Sequence, residues 1–127
     1  MSKATPTTRP TAAELELLRV LWPIGPATVK QVHEAMHEER ADVTYASVLR
    51  QMQVMHAKGL LTRDESERSH VYAPAQSQNK LQTSLLKELI HKAFSGSGKA
   101  LVMAALRTHV SQEEREEIRK FLHGDAR

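Results

Sequence analysis

Apolar residues recur with the period of a helix along most of this chain, and the pattern changes once, between Leu60 and Pro74. Three helix starts carry a capping box: Thr11-Ala-Ala-Glu14, Thr28-Val-Lys-Gln31 and Ser111-Gln-Glu-Glu114. The first predicts a helix from about Ala12 to Trp22, with Leu15, Leu18 and Leu21/Trp22 as its apolar stripe. Pro23, Gly25 and Pro26 end it in a stiff turn. The second predicts a helix from Val29 to about Glu39 that buries Val29, Val32, Ala35 and Met36. A third runs from Thr44 as N-cap to just before Gly59, a left-handed stop. On it Val48, Met52 and Met55 fall on one face and belong to the core. Ala46, Arg50, Gln53 and Val54 fall on the other, with Ser47 at the edge. Leu60–Arg63 and Ser69–Ala73 read as two strands around the polar tip Asp64-Glu-Ser-Glu-Arg68, and Pro74 closes the hairpin.

From Ser77 the helical period returns. Leu81, Leu85, Leu86, Leu89, Ile90, Ala93 and Phe94 form a stripe too long and apolar for the outside of a small domain. Ser95-Gly-Ser-Gly98 breaks it, Lys99–His109 forms another helix, and a last one runs from Gln112 to about Leu122. The expected fold is mainly α with an α+β wing. It has a flexible arm over 1–10, a winged helix-turn-helix domain over 11–76, an all-helical dimerisation region over 77–123 and a disordered tail over 124–127. The dimer would be held by Leu81, Leu85, Leu86, Leu89, Ile90, Phe94, Leu101, Val102, Leu106, Ile118 and Leu122, since these stripes find no room on one small closed domain. The alternative is that these helices fold back onto their own chain.

Composition narrows the function. With 127 residues the chain has room for one domain, or a small domain with an appendage, and five aromatic residues leave the packing to leucine, valine and methionine. The formal charge is +3, but residues 1–76 carry nine Lys/Arg against nine Asp/Glu, so the excess lies in 77–127. Global charge therefore says little about nucleic acid, and the local pattern says more. There is no cysteine, which excludes disulfides, thiolate metal sites and thiol redox sensing. No run approaches the roughly 18 apolar residues of a membrane span, and the first residues lack the apolar core of a signal peptide. A cytoplasmic protein is expected.

A helix followed at once by a ribbon is the layout of a winged helix, with the helix in the DNA major groove. The window Val43–Arg63 holds Arg50, Lys58 and Arg63 and no carboxylate, which suits a surface facing phosphates. Arg50 can fork onto guanine and Gln53 onto adenine, each worth ~1–3 kcal/mol of discrimination. Thr44, Tyr45, Ala46 and Ser47 occupy the helix start, where hydroxyls and the helix dipole favour phosphate. Lys58 ends the helix, and Arg63, Arg68 and His70 on the hairpin can brace the backbone, although Asp64, Glu65 and Glu67 lie beside them. His33-Glu34-Ala-Met-His37 matches a zinc-peptidase signature, which needs a third ligand and a cleft. In a small helical unit the pair reads as a solvated face. The other histidines are scattered, and no metal, cofactor or enzyme activity is expected. A protein-interaction module without DNA is the competing class.

The chain resembles the penicillinase-repressor family, the BlaI/MecI-type winged-helix repressors, from Thr11 to Leu122. The carrying segments are TAAELELLRVLW, GPATVKQVHEAM, MHAKGLLTR, HVYAP, FSGSGKALVMAAL and SQEEREEIRKFL, in this order and spacing. The resemblance implies a homodimer that binds a palindromic DNA operator and blocks transcription, often of β-lactam resistance or other stress genes. It also implies an inducing membrane sensor-protease as a partner. The chain departs from the pattern at Val54, where members often carry Arg, and at Tyr45, Ala46 and Leu49, where polar or basic residues are usual. In the region Ser95–Leu101, where relatives are cleaved, it carries Ser97-Gly98 instead of an asparagine–phenylalanine pair. The cysteine cluster of copper-sensing cousins is absent.

Overall fold

The computed structural model describes residues 9–125. Six α-helices and one hairpin follow in the order α1 (Ala12–Ile24), α2 (Val29–Glu39), α3 (Tyr45–Ala57), β1 (Leu61–Asp64), β2 (Val71–Pro74), α4 (Gln78–Ala93), α5 (Gly98–Thr108) and α6 (Gln112–Lys120). A closing turn, Phe121–Asp125, continues from α6 and leaves the helical path at His123 and at Gly124 (φ 94°). This is the mainly α, winged architecture expected. Residues 1–8 of the expected arm and 126–127 of the expected tail lie outside the described residues. Residues 124 and 125 of that tail belong to the closing turn.

All three capping boxes form. In the first, Glu14 N donates to Thr11 Oγ1 at 3.1 Å while Thr11 N donates to Glu14 Oε1 at 2.9 Å. The helix α1 runs two residues past Trp22, because Pro23 sits in its last turn. There the missing amide costs only one terminal bond. The end of α3 is a left-handed stop at Gly59 (φ 86°), with Leu60 N donating to Met55 O at 2.9 Å. That use of Leu60 moves the start of β1 to Leu61.

By contacts the chain divides into a unit ending at Gln82 and one beginning at Thr83, so the division falls inside α4 rather than at residue 76. In the first unit, Val29, Val32 and Met36 of α2 and Val48, Met52 and Met55 of α3 are buried as their spacing required, while Ala35 is only half-buried. On α1 the buried apolar set is Leu17, Leu18 and Leu21, with Leu15 only half-buried. The stripe is shifted because α1 packs against both α2 and β2. Leu81, expected in the dimer stripe, is instead buried beside Leu18, Trp22 and Leu60. Trp22 Nε1 donates to Gln76 O at 3.1 Å and ties the start of α4 to α1.

The hairpin pairs Leu61 with Pro74, Thr62 with Ala73, Arg63 with Tyr72 and Asp64 with Val71. An isolated bridge joins it to the helices. Ala27, in the α1–α2 turn, exchanges two backbone bonds of 2.9 and 2.8 Å with Tyr72. Tyr72 is 2 % exposed, so the wing is anchored to the helical core.

The second unit is built differently. No residue of α5 or α6 is buried. Ser95 (φ 51°) and Gly96 (φ 84°) turn the chain after α4, and Ser97 Oγ caps α5 by accepting from Ala100 N at 3.0 Å. The Arg115 guanidinium donates to the Leu106 carbonyl, linking α6 to α5. Leu86, Leu89, Val102, Met103, Phe121 and Leu122 are all exposed, whereas Leu85, Ile90, Phe94, Leu101, Leu106 and Ile118 are half-buried.

Candidate nucleic-acid interface

The presentation of α3 begins at its cap. Thr44 Oγ1 accepts from Ser47 N at 3.1 Å, and Ser47 Oγ donates to Thr44 O at 2.9 Å. A serine hydroxyl has one proton, so Ser47 has committed its donor to the helix and Thr44 keeps its own. One residue earlier, His33 Nε2 lies 3.0 Å from Val43 O. A carbonyl only accepts, so this nitrogen carries the proton and pins the α2–α3 turn. The His33 ring also meets Tyr45 edge-on, with centroids 5.9 Å apart, and His37 at 5.8 Å. The apparent peptidase signature is thus a helix–helix staple at His33 with His37 on the surface. Among the described residues, no group of three or more His, Asp or Glu is placed to hold a metal.

Beyond the cap, the outward ridge of α3 consists of Ala46, Arg50 and Gln53, all exposed. A groove of about 290 Å³ lies on one side of the ridge. It is lined by Tyr45, Leu49 and Gln53 from α3, by Arg68, Ser69 and His70 from the wing, and by Thr28–Lys30 at the start of α2. No carboxylate lines it. On the other side, about 330 Å³ opens between Ser47, Arg50, Gln51 and Val54 of α3 and Thr11, Ala13 and Glu14 at the start of α1. The expected contact residues Tyr45, Gln53, Arg68 and His70 therefore meet at the first groove, with Ser47 and Arg50 at the second.

Two expected contacts are otherwise engaged. Lys58 Nζ donates to both oxygens of Glu14 at 2.8 Å, so it ties α3 to α1 rather than standing free for a phosphate. Glu14 is 5 % exposed. Burial opposes its ionisation, but the hydrogen bonds from Lys58 and from the Thr11 amide outweigh that and hold its pKa below the ordinary glutamate value. Arg63 Nε donates to Glu65 Oε2 at 2.6 Å, and its guanidinium carbon lies 5.9 Å from the Tyr72 ring centroid. This arrangement shapes the wing and turns the Nε edge of Arg63 toward Glu65.

Sequence reasoning missed Lys30 and Glu14. Lys30 is exposed two residues past the Thr28 cap, and only its place at a helix start beside the wing marked it. The Glu14 signal was the capping box, which says nothing of a lysine 44 residues away.

No helix among the described residues is long and apolar enough to cross a membrane. The chain is similar to the transcriptional regulator BlaI of Mycobacterium tuberculosis, from strains CDC 1551/Oshkosh and ATCC 25618/H37Rv. Each is 28% identical over 97 residues, covering 76% of this chain and 70% of the relative. The penicillinase repressor family matches residues 10–124, nearly the whole of the winged and helical units just described. The chain belongs to the penicillinase repressor family, a family of transcriptional regulators and not of enzymes.

Proposed function

We propose that the protein represses transcription by binding a dyad-symmetric DNA operator as a homodimer, with α3 in the major groove and the wing beside it. The observation that carries this reading is the outward ridge of α3. Arg50 and Gln53 stand exposed there, in a stretch from Val43 to Arg63 that contains no carboxylate. A protein-interaction module has no reason to keep such a stretch free of acid, whereas a polyphosphate partner demands it.

In this reading Arg50 and Gln53 contact base edges and Ala46 lies against them. Thr44 and Tyr45 donate to phosphate at the helix start, while Ser47, whose proton is given to Thr44 O, only flanks them. Arg68, His70 and Lys30 brace the backbone across the groove. The second unit pairs two copies through Leu85, Leu86, Leu89, Ile90, Phe94, Leu101, Val102, Leu106, Ile118 and Leu122. Two-fold symmetry then sets the half-sites one DNA turn, ~34 Å, apart or a multiple of it. Control of β-lactam resistance or stress genes rests on the resemblance alone, and release by an inducing protease has Ser97-Gly98 against it in the region where relatives are cleaved.

The test is a titration of Arg50→Ala against operator duplex at several salt concentrations. Specific binding is expected to fall by at least about tenfold, the equivalent of ~1.4 kcal/mol, with dimer mass and helicity unchanged. Wild-type affinity should drop steeply with salt. Binding that ignores both Arg50 and salt would overturn the reading.

A further inference from the structure

The face of α3 turned outward is not uniformly polar. Ala46 is exposed and Leu49 half-buried, and each lies one turn before a polar residue, Ala46 before Arg50 and Leu49 before Gln53. Tyr45 is 48 % exposed beside them. The two rows run side by side, apolar toward the helix start and polar toward its end. In helix-turn-helix proteins it is the start of this helix that reaches the base edges. Leu49 also lines the groove shared with Arg68 and His70, which holds no carboxylate.

The major groove offers one apolar group to such a surface, the C5-methyl of thymine. Cytosine, by contrast, offers an amino donor and no methyl, and no carboxylate lines this groove to accept from it. We infer that Ala46 and Leu49 are specificity-determining residues that select thymine by packing against its methyl group. This inference rests on the operator-binding reading above and gives the base that its apolar positions choose. One helical turn, ~5.4 Å, spans one to two base steps of ~3.4 Å. Each selected thymine therefore falls within about two base pairs of the base read by Arg50 or Gln53.

The experiment replaces thymine by uracil, which removes the methyl and leaves every hydrogen-bonding group in place. An operator is selected with the full-length wild-type chain from a random duplex pool. Each thymine is then changed to uracil, one position at a time in both half-sites, and affinity is followed by fluorescence anisotropy. At the contacted positions binding weakens about fourfold per methyl, the value of one buried carbon group, and other positions stay neutral. The penalty disappears in Ala46→Gly or Leu49→Ala, with folding checked by circular dichroism. Uracil that is neutral at every position overturns the methyl readout while leaving the repressor reading intact. A pool from which no sequence is enriched removes both.

Discussion

The two units of this chain handle their leucines in opposite ways. In the first, Leu17, Leu18, Leu21, Leu60, Leu61 and Leu81 are all under 10 % exposed, and they close one core around Met52, Met55 and Tyr72. In the second, Leu86 and Leu89 stand 45 % and 49 % exposed and Leu122 is 74 % exposed, with no buried residue in α5 or α6. A set of large apolar side chains left open on this scale marks an interaction surface. The first unit closes a core of its own, whereas the open leucines of the second are the surface that the proposed pairing of two copies would cover.

The strongest break of this comparison is a charge in the open stripe. Leu89→Lys is expected to raise the dimer dissociation constant by at least about a hundredfold, because an unpaired buried ammonium costs roughly 3–5 kcal/mol. Sedimentation would report it, and the amide spectrum of the first unit should stay unchanged. An undisturbed dimer would show that the stripe folds onto its own chain. Leu81→Ala sharpens the same contrast from the other side. It should destabilise the first unit by about 2–3 kcal/mol, at the low end for a core leucine, and leave the dimer constant alone. Loss of the dimer with unchanged stability would return Leu81 to the stripe.

Next in size is Glu14→Gln, which removes the carboxylate beneath Lys58 and should cost about 1–3 kcal/mol. Its pH dependence has a definite sign. Since the folded-state pKa of Glu14 is lowered, its stabilisation is fully present above the ordinary glutamate value, ~4.3, and is lost as pH falls through the folded value. Thermal melts of the two proteins should therefore diverge near neutrality and converge in acid. A constant gap across that range would contradict the ion pair. The smallest effect belongs to the wing. Arg68→Ala should weaken operator binding evenly across sequences and lower the log–log salt slope by about one. An altered sequence preference would instead make Arg68 a base reader.

Much of the first unit was legible because its signals are local. Thr11, Thr28 and Thr44 cap helices where their spacing said they would, and the faces of α3 follow from the helical period alone. What escaped depends on distant partners. Leu81 and Leu85 have the same period in the sequence, and only the approach of Trp22 and Leu60 separates the core Leu81 from the half-buried Leu85. The Ala27–Tyr72 bridge is a single residue pair, too short to leave any alternation. Of the expected contact residues, Lys58 had the least local information: a lysine before a glycine stop reads the same whether it faces solvent or a buried glutamate.

The most direct test is enrichment of duplexes from a random pool by the intact protein, followed by sequencing. The expected product is an inverted repeat whose half-site centres are separated by a whole number of DNA turns. Enrichment of a lone asymmetric site, or of nothing, would contradict the account.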